Sequence, residues 1–283
     1  MLTPTLLPAT LIFLFLSTII YHHVHVRKNG PIPYTSTLIK LNNRIYALAS
    51  LLFCLALVLS FEPILQLLGN NNNNVEQNDR SAPWLYRFGT YVHDHDGQMR
   101  YIYHVSKVYE YIDVLLVLAG GGQIGWHFGV HHLTTPYLTY LRLIVLHHRI
   151  HYHQSDNSGW KVLACLNTLH HVFMYLYFGG VTSVRPILPF TGCLQLIVGI
   201  VGEGNVINDI LYNNGRTADV HALIWPSIVS MAAMGLYFVL FVLEVREAGR
   251  GKGREQKKIG QGNAHNEDEK DDRGPGLEKE KMN

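Results

Sequence analysis

The sequence predicts an all-α integral membrane protein of about seven transmembrane helices, and three observations carry that prediction. Of 283 residues, 48% are hydrophobic and 44 carry a formal charge. The charge is gathered at one end: Glu244–Asn283 holds ten basic and ten acidic side chains, which leaves 13 and 11 for the first 243 residues. A soluble domain is about a quarter charged, so a body charged at about one residue in ten is not an ordinary soluble domain. Finally, seven apolar stretches approach the roughly 20 residues that a helix needs to cross a bilayer. The net charge of +2 argues against nucleic acid as a partner, since that calls for a basic surface. Cys54, Cys165 and Cys193 lie in apolar runs without paired spacing, so neither a disulfide framework nor a zinc knuckle is indicated.

The expected spans, in order, are Leu6–Val24, Ile45–Leu68, Tyr101–Leu118, Gly125–Leu146, Val162–Gly180, Ile187–Ile207 and Val220–Val245. The first lacks the basic start and small-residue cleavage site of a signal peptide, and more spans follow it. Between spans two and three, Gly69–Asn74 is polar and Asn-rich, which predicts a solvated loop. Residues 1–245 form the expected membrane domain. Residues 246–283 are charged and Gly-rich, the composition of a disordered tail. That tail ends Lys279-Glu280-Lys281-Met282-Asn283, with lysines third and fifth from the end, a spacing that resembles the dilysine retrieval signal of endoplasmic-reticulum membrane proteins. Such a signal works only in the cytosol. A cytosolic C-terminus and seven spans give a luminal N-terminus, with Arg27, Lys28, Lys40 and Arg44 in a cytosolic first loop, a slight positive-inside bias.

Ionisable groups inside spans are expensive and normally face a cavity or a partner. In span three, Lys107, Glu110 and Asp113 recur every three residues and so share adjoining parts of one face. A purely structural ion network accounts for these three as well as chemistry does. Span four opens with His127, His131 and His132. The first two share a face, the third points about 100° away, and Pro136 follows. In span five, Asn167, His171, Met174 and Phe178 follow one helical stripe, edged by His170 and Tyr177. Counted at about 1.5 Å per residue, Glu110, Asp113, His131 and His171 all lie roughly 7–14 Å below the same surface. Three helices therefore bring polar groups to one level.

These residues resemble the membrane fatty acid elongases, the condensing enzymes of very-long-chain fatty acid synthesis. Lys107, Glu110 and Asp113 resemble their Lys-x-x-Glu-x-x-Asp box. Asn167, His171, Met174, Tyr175 and Tyr177 resemble an Asn-x-x-x-His-x-x-Met-Tyr-x-Tyr-Tyr box, with Phe178 in place of the last Tyr. Thr191 and Gln195 stand near the family's Thr…Gln box, one residue further apart than usual. In the His-x-x-His-His box the paired histidines are His131 and His132, while the first is displaced to His127 and Phe128 stands in its place. The resemblance implies that malonyl-CoA and a long-chain acyl-CoA are joined to give a 3-ketoacyl-CoA, CoA and carbon dioxide. It also implies an acyl tunnel enclosed by the helices, no bound cofactor or metal, and a place in the endoplasmic-reticulum membrane with the other elongation-cycle enzymes as partners. Imidazole can carry an acyl group, so His131 is the expected nucleophile, with His171, His132 and the displaced His127 beside it. Asn167 would bind the thioester carbonyl or enolate. Lys107, Glu110, Asp113, Tyr175 and Gln195 would form the supporting network, and Arg185 would meet the CoA phosphates.

Two other readings share these histidines. A membrane di-iron desaturase or hydroxylase also uses His-rich boxes. Its second cluster, His147 to His153, falls about 20 residues along the same helix and so roughly 30 Å away. A zinc transporter would use His147, His148, His151 and His153 as a metal sink, but it leaves Lys107 unexplained.

Overall fold

Long apolar runs form helices because a helix satisfies every backbone hydrogen bond within its own segment, which hydrocarbon demands. A computed structural model describes residues 6–69, 83–151, 159–214 and 224–247. Among the described residues no strand occurs. The helices are α1 (Leu6–Tyr21), α2 (Thr35–Leu59), α3 (Glu62–Gly69), α4 (Trp84–Asp94), α5 (Asp96–Tyr109), α6 (Tyr111–Ala119), α7 (Trp126–His151), α8 (Trp160–Phe178), α9 (Leu188–Asn214) and α10 (Ile224–Glu247). A π-turn, His22–Val26, extends α1, and a 3-10 turn, Thr182–Ile187, precedes α9. The chain divides into Met1–Phe241 and Val242–Asn283; helix α10 runs to Glu247, and the charged tail beyond it lies outside the described residues.

Among the described residues, four segments are long and apolar enough to cross a membrane: Leu6–Val26, Thr35–Leu59, Thr182–Tyr212 and Ile224–Glu247. Helices α7 and α8, with 26 and 19 residues, have the length to span but carry the polar residues that lower their hydropathy. This is a multi-pass, all-helical membrane protein.

Two expected spans are divided. The second begins ten residues earlier than Ile45 and ends at Leu59, where Ser60 caps it. Pro63 then sits in the first turn of α3, where a missing N–H is harmless, so the apolar run to Leu68 belongs to a second helix. Of the expected loop Gly69–Asn74, Gly69 closes α3 and the remainder lies outside the described residues. The third expected span is interrupted at Glu110, between α5 and α6. The helix through Pro136, by contrast, is continuous in α7.

The helix ends position the polar residues. Helix α6 stops at Gly120-Gly121-Gly122, where Gly122 N–H bonds Val117 O at 2.9 Å and Gly121 N–H bonds Leu118 O at 3.0 Å. Gly121 has φ +78°, the left-handed conformation that such a Schellman end requires. Helix α8 ends the same way, through Val181 N–H to Leu176 O and Gly180 N–H to Tyr177 O, with Gly180 at φ +106°. Helix α2 packs along α8, where Tyr46 and Ala47 meet Tyr175. Helix α9 approaches α8 and α10 so closely at Gly199 that a Cβ there would run into Met234 and Leu163.

Candidate active site

Polar residues of α5 and α8, with Glu110 at the start of α6, meet around one ammonium group. Lys107 Nζ donates to Glu110 Oε1 at 2.6 Å and to Asn167 Oδ1 at 2.7 Å, and lies 3.1 Å from His171 Nε2. Lys107 and Glu110 are each 1% exposed, so neither charge relies on water. Glu110 sits where α5 passes into α6, three residues from Lys107, and that spacing lets the two side chains meet. Tyr46 of α2 donates to Ser106 O at 2.9 Å and reaches Glu110 Oε1 at 3.4 Å. A buried charge pair costs least when its remaining valences are satisfied; here Glu110 Oε2 has no hydrogen-bond partner among the described residues, with His132 Nδ1 3.8 Å away.

The network runs outward from this centre. Asn167 Oδ1 also accepts from Tyr103 at 2.9 Å, while Asn167 Nδ2 donates to Gln195 Oε1 at 2.9 Å, tying α8 to α9. His170 Nδ1 pairs with Thr191 Oγ1 at 2.8 Å. His132 is buried, with Nδ1 3.2 Å from Glu110 O and 3.8 Å from Glu110 Oε2. Asp113 forms a second centre: Tyr175 and Asn42 both donate to it, the latter at 2.9 Å. Tyr175 is linked back to the first centre by stacking on His171, with ring centroids 5.4 Å apart.

Like His171, whose Nδ1 is also buried without a hydrogen-bond partner among the described residues, His131 has an unengaged ring nitrogen, Nδ1, but unlike His171 it lines a cavity, one of about 340 Å³. The ring packs against Tyr237 at 4.9 Å and His127 at 5.7 Å between centroids. Asn167, Gln195, Tyr103 and Tyr237 line the same cavity. An imidazole that lines a cavity and keeps a ring nitrogen free of hydrogen bonds is suited to act as nucleophile or base. Asn167, held on both sides of its amide, is a fixed dipole beside it.

Most of the residues singled out in the sequence thus converge, and several do not. Arg185 lies exposed on the 3-10 turn before α9 and is not among the cavity-lining residues. His127 is partly buried and reaches the site only through His131. The histidines at 147, 148 and 151 are on the end of α7 with side chains outside the described set, and His153 lies outside the described residues altogether. Sequence reasoning passed over Tyr46, Asn42, Tyr103 and Tyr237, whose roles depend on which helices pack together. It also passed over Arg142 and Glu203, which did carry a signal: each is a lone charge inside an apolar span.

Glu110, His131 and His171 each offer a ligand atom, and these atoms lie within 4.8 Å of one another. Lys107 already contacts Glu110 Oε1 and His171 Nε2 from that same space. A divalent cation there would face an ammonium at close range in a medium where such repulsion is strong. The donor set suits a proton-handling network better than a metal.

A family model described as ELO, the GNS1/SUR4 family, matches residues 1–247. The chain belongs to the ELO family. The match covers all the described helices and so includes all four boxes that resemble the elongases. A search of curated proteins gave no match. Membership of the ELO family is consistent with an enzyme of fatty acid elongation.

Proposed function

We propose that this ELO-family protein is the condensing enzyme of a fatty acid elongation cycle, taking malonyl-CoA and a long-chain acyl-CoA to a 3-ketoacyl-CoA, CoA and carbon dioxide. The observation that carries this reading is His131, with an unengaged Nδ1, on the wall of an otherwise largely apolar cavity that Asn167 and Gln195 also line. His131 attacks the acyl thioester carbonyl, the carbon–sulfur bond breaks, and CoA leaves after taking up the proton displaced from the ring. An acyl-imidazole remains. Malonyl-CoA then loses carbon dioxide, and the resulting enolate carbon attacks the acyl carbonyl. The carbon–nitrogen bond breaks, a proton returns to His131, and 3-ketoacyl-CoA departs. One hard step becomes two.

Asn167 would stabilise the developing negative charge on the carbonyl or enolate oxygen. Lys107, between Glu110, Asn167 and His171, would keep the site's charge and the orientation of His171 fixed. His132 and His171 would move the protons. Asp113, Tyr175 and Gln195 would hold the helices that carry these groups. His127 packs behind His131, and Arg185 is the candidate for a CoA phosphate at the cytosolic mouth. No metal or bound cofactor enters the scheme, and the substrates come from membrane lipid metabolism.

The test is incubation of purified protein in lipid with labelled malonyl-CoA and a panel of acyl-CoAs. The expected product is a 3-ketoacyl-CoA two carbons longer than the acyl donor, and release of label as carbon dioxide without chain extension would refute the assignment. The lysines at 279 and 281 support residence in the endoplasmic reticulum with the C-terminus in the cytosol. Changing both to Ser should let part of the protein leave that compartment while activity per molecule is retained, as read by fractionation. Unchanged location would show that retention lies in the spans.

A further inference from the structure

The cavity does not stay apolar as it leaves the histidines. Arg142 of α7 and Glu203 of α9 form an ion pair on its wall, and Arg142 also donates to Ser227 of α10 at 3.3 Å. Glu203 and Ser227 are buried. Arg142 lies 11 residues beyond His131 on α7, and Glu203 eight beyond Gln195 on α9, so the pair stands roughly 12–16 Å along the helix axes from the catalytic centre. Asn205 and Ser230 line the cavity with them. Leu138, Leu163, Leu196 and Met234 form the intervening wall. Thr135, Thr139 and Arg100 line it as well, the threonine hydroxyls bonded to carbonyls of their own helix and Arg100 to Asp96. The middle of the cavity thus offers a chain mainly apolar side chains, and its two ends are polar.

A plain hydrocarbon chain does not match that profile. Its terminal part would lie against an ion pair and strip solvation from it without offering a hydrogen bond. A hydroxyl does match, since it donates to a carboxylate and accepts from a guanidinium. We infer that the Arg142–Glu203 end of the cavity recognises a hydroxyl carried near the ω-end of the acyl chain, making ω-hydroxyacyl thioesters a substrate class of this protein. The inference rests on the condensing reading for its chemistry and on the cavity for its selectivity. Both the hydroxyl and the reacting carbonyl must be seated at once, so the preference belongs to one narrow range of chain length. Shorter chains leave the hydroxyl in the apolar middle, and longer ones overshoot.

The experiment compares unsubstituted and ω-hydroxyacyl-CoAs over a ladder of chain lengths, with two readouts on purified protein. One is competitive binding without malonyl-CoA, and the other is condensation with labelled malonyl-CoA. A site built to hydrogen-bond a hydroxyl rejects the analogue lacking it strongly, so a preference of at least about tenfold is expected at one length. In Arg142→Met with Glu203→Leu, which removes both charges together, the ratio should fall to about one. Glu203→Gln, nearly the same size, should lower it in part if the double variant does not fold. Because a ratio is read, a loss of stability common to both substrates cancels, and an ion pair that merely joins α7 to α9 would leave the ratio unchanged. Equal binding of the two classes at every length overturns the inference, as does a preference that survives both variants or binding of neither class. Failure of condensation with every substrate refutes the proposed reaction instead, and the binding ratio still decides this point.

Discussion

Helices α1 and α8 are similar in length, 16 and 19 residues, and opposite in what they hide. Helix α1 turns Leu7, Leu11, Ile12 and Phe15 outward, Phe15 being 66% exposed, and buries Thr10 and Phe13. Thr10 meets the hydroxyls of Tyr111 and Tyr137 at 3.0 and 2.9 Å. Helix α8 buries Asn167, Thr168, His170 and His171, and leaves Val162 and Phe178 exposed. In water this pattern would be inside out. Lipid tails are as apolar as leucine, so little is gained by hiding apolar side chains, and what decides the packing is where polar groups find partners. The difference between the two helices is therefore chemical rather than structural: α1 supplies an apolar outward wall, and α8 supplies polar residues of the candidate site.

The largest effect should follow from altering the inward side. His131→Ala is expected to abolish condensation while leaving insertion intact, because the ring lines a cavity and anchors no hydrogen bond from Nδ1. His132→Ala and His171→Ala should each cost several orders of magnitude, and combining them with His131→Ala should add little, as for groups that act as a unit. The measure is condensation per inserted molecule. An acyl adduct trapped on Cys165 rather than on a histidine would replace His131 as the nucleophile.

Next in size is the removal of one inward charge. Lys107→Met leaves Glu110 buried without its cation, which typically costs about 3–5 kcal/mol. Thermal unfolding in detergent should fall accordingly, and Lys107→Met with Glu110→Leu should recover part of the loss. A single variant as stable as wild type would mean that Glu110 takes a proton and that the pair contributes nothing to folding. The outward counterpart is Phe15→Arg near the middle of the Leu6–Val26 span. On insertion scales a central arginine costs about 2.5–3.5 kcal/mol, whereas Phe15→Leu should be silent. Insertion can be read by glycosylation mapping. Arginine tolerated at 15 would show that α1 does not face lipid.

What the sequence made legible follows the same division. Apolar length located the four segments that are long and apolar enough to span among the described residues, since hydropathy reports lipid contact directly. The breaks at Ser60–Phe61 and Glu110 were not legible, because a helix interruption between two apolar runs leaves the average hydropathy unchanged. Pro63 was the available sign for the first. In the site, Lys107, Glu110, Asn167 and His171 could be read as a group because each falls on a helical stripe at the same depth. Tyr46 and Asn42 could not, since their part depends on α2 packing beside α8, α5 and α6, a long-range choice that no spacing encodes. Arg142 and Glu203 stood alone in their own spans, and only the meeting of α7 with α9 pairs them.

The smallest expected effect separates the two histidine groups, and the reason is distance along one helix. His131 and His147 lie on α7, which runs unbroken from Trp126 to His151. Sixteen residues separate them, so His147 is about 24 Å further along the axis, and His151 is about 30 Å from His131. No single metal cluster can include side chains so far apart on one continuous helix. The sequence after His153 continues Gln154-Ser155-Asp156-Asn157-Ser158-Gly159, a polar, turn-prone run suited to water. Histidines in such surroundings need no partner, and replacing surface residues usually changes stability by no more than about 0.5 kcal/mol. Changing His147, His148, His151 and His153 together to Gln should therefore leave condensation near the wild-type rate and insensitive to chelators. A di-iron oxygenase or a zinc transporter requires the reverse. If that quadruple variant inserts normally and is inactive, or if chelation stops the wild type, the division of labour along α7 is wrong, and with it the metal-free mechanism built on His131.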